Sequence, residues 1–153
     1  MPTPLLFVAC EKAIIAQDHT VSVIGILEKL VTNVPINGML SQHAAVPMHW
    51  NVVTIWSYEP SDAGKEFETT TQLIAEDGSV AMHIGPFRIA GTPEKPRFRH
   101  VGTVEQFPIT DGNLVLRLLM REIGTDEWRT VTDYPIEVEL VRPKPLPIGA
   151  PPL

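Results

Sequence analysis

The stretch FPITDGNLVLRLLMRE, residues 107–122, holds the densest apolar run of the chain and admits two structures. Coiled as a helix, it stacks Leu114 on Leu118 and Leu116 on Met120, with Arg117 and Arg121 on a shared face. Extended as a strand, it points Leu114, Leu116, Leu118 and Met120 to one side and the two arginines to the other. The surroundings decide for the strand. Pro108 and an Asp-Gly turn come just before the run, which lasts only about ten residues. The tight turn GTDE, 124–127, then leads into EWRTVTDYPIEVELVR, 127–142, where Ile136, Val138 and Leu140 alternate with Glu137 and Glu139.

Working outward, the same texture recurs. Apolar and β-branched segments at 4–20, 20–33, 43–58, 65–76, 79–90 and 97–109 are separated by turn-forming DHT, PSDAGK and EDGS. In 43–58, Val46, Met48, Trp50, Val52, Trp56 and Tyr58 share one parity, and His43, His49, Asn51 and Ser57 the other. Val53 and Ile55 break that alternation, which means a bulge or a second covered face. Within residues 24–31, Ile24, Leu27 and Val31 also suit a short helix, which Gly25 weakens. Eight such segments imply an all-β chain: a single antiparallel β-sandwich of about seven to nine strands with Greek-key-like connections. That domain spans residues 1–142. The following RPKPLPIGAPPL is too rich in proline to continue a ladder or a helix, so 143–153 is a tail.

With 153 residues the chain fits one domain with a real core, and 20% charged residues are too few for a disordered one. A net charge of −6 argues against nucleic acid as a partner, because neutralising phosphates needs a cationic surplus. The basic EKPRFRH, 94–100, reads as a solvated strand face carrying Arg97 and Arg99. A lone Cys10 allows no internal disulfide, and inside LLFVACEKAII it reads as an inert buried thiol. Glu11 and Lys12 interrupt that apolar stretch and no basic segment precedes it, so no signal peptide or membrane span is expected, and the cytoplasm is the expected location.

No local catalytic motif occurs: no GxSxG, P-loop, GxGxxG, HExxH or EF-hand loop. His43 and His49 share a strand face, but six residues of strand separate them by roughly 20 Å, too far for one ion. His83 and His100 lie on different segments. The acidic residues are more informative. If successive connections alternate between the ends of a sandwich, one end gathers Asp18, then Glu59 and Asp62, then Glu94, then Asp126 and Glu127. Clustered oxygens suit calcium, which makes Asp18, Asp62, Asp126 and Glu127 candidate ligands, although turns favour aspartate for local reasons too. No other cofactor is expected. For contact with a partner the candidates are Val53 and Ile55, on the outward side of the tryptophan strand, and Trp128, which opens the last segment.

The opening LLFVACEKAIIAQDHTVSVIGILEKL, an apolar strand that runs into Cys-Glu and then through a polar turn to SVIGILEKL, resembles the start of an uncharacterised family of small bacterial proteins. FPITDGNLVLRLLM followed by EWRTVTDYPIEVEL resembles that family's final hairpin. The resemblance implies an all-β sandwich and transfers no catalytic residue. The resulting expectation is a non-enzymatic binding or assembly module whose partner is a protein or a second copy. Two alternatives stand beside it: a cation-dependent ligand or lipid binder using the acidic end, and an enzyme whose site is assembled from distant residues.

Overall fold

The computed structural model describes residues 1–33, 44–144 and 149. Nine strands run along them: β1 (Thr3–Ile15), β2 (Val21–Ile26), β3 (Lys29–Asn33), β4 (Ala45–Ser57), β5 (Phe67–Ala75), β6 (Val80–Ile89), β7 (Arg97–Pro108), β8 (Leu114–Glu122) and β9 (Arg129–Val141). Among the described residues there is no α-helix, only a 3₁₀ turn at Pro60–Asp62. The strands form two sheets, ordered β2-β1-β4-β7 and β3-β9-β8-β5-β6. Residues 34–43, with His43, and most of the proline-rich 143–153 lie outside the description.

The opening run is a strand. In β8 the buried residues are Leu114, Leu116, Leu118 and Met120, while Arg117 and Arg121 lie on the opposite side. Hydrogen bonding to β5 on one side and β9 on the other places β8 in the middle of the five-stranded sheet. The pleat then sorts its side chains between core and solvent.

Residues 24–31 are not a helix either, and they hold one strand more than the periodicity shows. Gly25 has φ +65°, and a Cβ there would come within 2.7 Å of the Glu11 carboxylate. The Leu27 N–H donates to the Ala9 carbonyl at 2.9 Å, ending β2 against β1. The chain then passes to the other sheet, where β3 lies parallel to β9, with Lys29 opposite Glu137 and Asn33 opposite Val141. The expectation of a purely antiparallel arrangement is corrected here. Crossing between sheets at Leu27–Glu28, rather than folding back as a hairpin, brings β3 alongside β9 in the same direction.

Both sheets contribute to one main core. Ala9, Trp50, Val52 and Phe107 come from the first, and Leu73, Ile84, Leu114, Leu116, Ile136 and Val138 from the second. A second cluster joins Trp56 and Tyr58 to Phe67, Ile89, Leu118 and Met120. The tryptophan parity of β4 is therefore the core parity. Trp50 is fully buried against Phe107, with ring centroids 5.3 Å apart, and its indole N–H donates to the Gln106 carbonyl at 2.9 Å. Trp50→Ala removes both the ring and that hydrogen bond. It should cost about 3–5 kcal/mol in urea unfolding; a loss under about 1 kcal/mol would contradict this account of the core.

Candidate interaction surfaces

The acidic candidates do not converge. Register places Thr3 opposite Ser57 and Cys10 opposite Asn51, so the end of β4 lies beside the start of β1. Asp62 follows β4 and belongs to that end, whereas Asp18 follows β1 and lies at the other. The β3 strand flips the alternation on which the expected cluster depended. Glu94 precedes β7, whose Arg97 pairs with Ser57, and Asp126 and Glu127 follow β8, whose Glu122 pairs with Phe67. These three share an end with Asp62, while Asp18 and Glu127 are engaged by their own neighbours. Asp18 accepts from the Thr20 N–H at 3.0 Å and hydroxyl at 2.7 Å, bonds that hold its carboxyl below the usual range. Glu127 pairs with Arg129.

Asp62 is the buried member of the set. Its carboxylate accepts from the Glu59 N–H at 3.0 Å and lies 2.6 Å from the Met1 ammonium. Burial raises its carboxyl, but these partners outweigh that effect and leave it below the usual carboxylate range. Among the described residues no three His, Cys, Asp or Glu side chains are grouped to hold a metal ion.

The contact candidates separate as well. Val53 is fully buried rather than exposed, in a cluster with Val8 and Cys10 to which Leu6 and Val101 add. Ile55 is half-buried. The interruption in the β4 alternation therefore marks a second covered face. Trp128 is half-buried on the other sheet, with the Arg121 guanidinium 4.6 Å from its ring centroid. Val53, Ile55 and Trp128 thus form no common patch.

The histidines also go separate ways. His49 contacts Glu105 at 3.1 Å, and His100 stacks on Phe87 at 4.1 Å with burial lowering its basicity. His83 lies on the other sheet from His100, on the same outer side as Trp128. Cys10 is buried, and burial pushes its thiol up, away from nucleophilic character.

A depression of about 620 Å³ runs along β9 between Glu28, Asn113 and Tyr134–Glu139. Several of its polar groups are engaged within the chain. Asn113 accepts from the Val138 N–H at 3.1 Å, the Tyr134 hydroxyl donates to the Leu27 carbonyl at 3.1 Å, and Lys29 bridges Glu137 and Glu139.

Among the described residues a different surface remains open. Two sheets present four edge strands, β2, β7, β3 and β6, and an unblocked edge is a template for another chain. Three edges carry blocking residues: Arg97, Arg99 and Glu105 on β7, Lys29 on the short β3, and Pro86 and Arg88 on β6. β2, VSVIGI, carries no charge and no proline. Its Ile24 and Ile26 are 50% and 56% exposed, and the register with β1 puts Ile14, itself exposed, on the same face. The signal was present in the sequence as six successive residues without a gatekeeper, but only the strand order reveals that they form an edge.

The chain matches no protein-family model and no curated protein.

Two outcomes test these placements. Val53→Lys puts an unpaired charge into a dry cluster and should destabilise the fold by at least about 3 kcal/mol in chemical denaturation; a shift below about 0.5 kcal/mol would return Val53 to the surface. The second concerns Asp133, held below the usual carboxylate range chiefly by its 2.8 Å bidentate pairing with Arg117. A depressed folded-state pKa makes the contribution present above the unfolded value of 3.8 and lost as pH falls through the folded one. Because both partners are well exposed, the contribution should stay under about 1 kcal/mol. Asp133→Asn should therefore narrow its stability gap to wild type on acidification from neutral pH to pH 3; a gap that widens would refute the pairing.

Proposed function

We propose that the chain is a non-enzymatic binding and assembly module, a β-sandwich with Greek-key-like connections, working in the cytoplasm and belonging to the bacterial family that its two ends resemble. Its partner is a second copy, paired along β2. The observation that carries this reading is the contrast among the edges: three bear gatekeepers, and β2 bears exposed isoleucines.

A second copy fits for a specific reason. In an antiparallel pairing about a two-fold axis at Ile24, Ile24 of one chain lies opposite Ile24 of the other and Ile26 lies opposite Ser22, so an isoleucine pair sits at the centre of the seam. Backbone N–H and C=O groups along both edges are satisfied at once. Gly25, with its positive φ, bends the strand near its end and limits the straight edge to a few residues. Six residues a side bury less than a standard interface, which sets the expected affinity in the micromolar range.

Sedimentation velocity over a concentration series should show a monomer–dimer equilibrium in that range. Added salt should strengthen it, because two chains of net charge −6 repel each other. Ile24→Lys should shift the equilibrium to monomer by at least about tenfold while leaving the melting transition in place, since a surface substitution away from the core changes stability little. A wild-type chain that stays monomeric at several hundred micromolar, or an Ile24→Lys variant that associates unchanged, would defeat the proposal.

A further inference from the structure

The outer side of the five-stranded sheet carries a cleft of about 370 Å³, within the range of small-ligand sites. Thr70 of β5 and Leu119 of β8 are among its lining residues and are register partners on neighbouring strands. A bulge at Gly85–Pro86 on β6 contributes one border, and Trp128, just before β9, contributes another. Gln72 and His83, paired across β5 and β6, complete the lining. We infer that this cleft is a binding site for a neutral sugar, seated with the apolar face of its ring on Trp128.

Charge argues for a neutral ligand. None of the residues lining the cleft is a carboxylate, an ammonium or a guanidinium, and the nearby Glu68 and Arg117 are paired with Arg121 and Asp133. An anion or a cation would need a countercharge in the lining itself. The chemistry of the lining argues for a hydroxylated ring. The Gln72 amide both donates and accepts, as does the imidazole of His83. The Thr70 hydroxyl already donates to the Ile84 carbonyl at 3.1 Å, which fixes its oxygen as an acceptor. Sugars present alternating donors and acceptors around a ring whose faces are lined with C–H groups, so an indole beside an amide, a hydroxyl and an imidazole matches both aspects.

The indole is also held in place before any ligand arrives. Arg121 lies over its ring, and Glu68, largely buried, anchors that guanidinium. A platform already ordered loses little freedom on binding. A site on this face is separate from the β2 edge, which belongs to the other sheet.

Trp50 and Trp56 are fully buried, so Trp128 is the tryptophan whose fluorescence a cleft ligand can change. The test begins with an array of immobilised neutral and acidic glycans covering the common hexose, pentose and N-acetylhexosamine linkages. The best neutral oligosaccharide found there is then titrated against the full chain in solution. A saturable change in tryptophan emission, insensitive to 0.5 M sodium chloride, is expected. Trp128→Ala should lose the emission change and weaken binding by calorimetry at least roughly tenfold, with Trp128→Phe retaining part of it. Gln72→Ala should weaken binding with the emission change intact at saturation. Circular dichroism should show each variant folded, and Ile24→Lys should bind as wild type does, which keeps a failure here distinct from a failure of self-association. No neutral glycan bound, or acidic glycans alone bound and released by salt, or binding unchanged in Trp128→Ala, would each overturn the inference.

Discussion

Four side chains on one strand tie the two halves of the core together. Leu114 and Leu116 of β8 belong to the main cluster, Leu118 and Met120 to the cluster around Trp56 and Phe67, and all four are at most 1% exposed. Because β8 is the middle strand of its sheet, its two neighbours are registered against this ridge. β5 places Leu73 opposite Leu116 and Thr71 opposite Leu118, and β9 places Ile136 opposite Leu114. A one-residue slip would turn the ridge to solvent and bring Arg117 and Arg121 inward, and the cost of burying those charges fixes the register. Everything on the outer face inherits its placement from that choice. Arg121 meets Glu68 and Trp128, and Arg117 meets Asp133, because Leu118 and Met120 between them point the other way.

The parts of the fold that were legible in the sequence are those governed by this period-two logic. The β8 strand, the Trp50 and Trp56 face of β4, and the Ile136, Val138, Leu140 face of β9 all follow from alternation bounded by turns. What alternation does not encode is the neighbour of each strand. VSVIGI and KLVTN looked like one segment because no proline or Asp-Gly turn divides them. The division is a tertiary event, made where Gly25 takes a left-handed conformation and Leu27 is drawn against Ala9. One unseen strand reverses the parity of every later connection. For that reason Asp18 was grouped with Asp62 when the two lie at opposite ends.

Burial on the second face of β4 was illegible for a related reason. Alternation predicts which side of a strand faces the core, but whether the other side is also covered depends on what packs there. Val53 and Cys10 are fully buried, and Asn51 is nearly so, with its amide donating to the Glu11 carbonyl and accepting from the Thr103 hydroxyl. A buried amide satisfied on both sides is a feature of an interior. In the sequence, Asn51 beside His49 had read as solvent-facing, and nothing local could distinguish the two environments. The candidate surfaces suffered the same limitation: Trp128 was singled out from the sequence, but Thr70, Gln72 and His83 come near it only through pairings across three strands.

Edges show where the architecture leaves a choice to the sequence. Every open sheet must end in strands with unpaired backbone groups, and this chain has four such ends. Blocking them costs little: a charge on the open side, a proline, or a strand too short to extend. Charges stand on three edges, β3 is only five residues long, and Pro86 does double duty, interrupting β6 while bordering the Trp128 cleft. Leaving β2 free of charge and proline is therefore not forced by the fold. Its isoleucines contribute little to the chain's own core, since Ile24 and Ile26 are at least half exposed. Among the described edges that contrast sets β2 apart, and it is the ground on which the proposed pairing with a second chain rests.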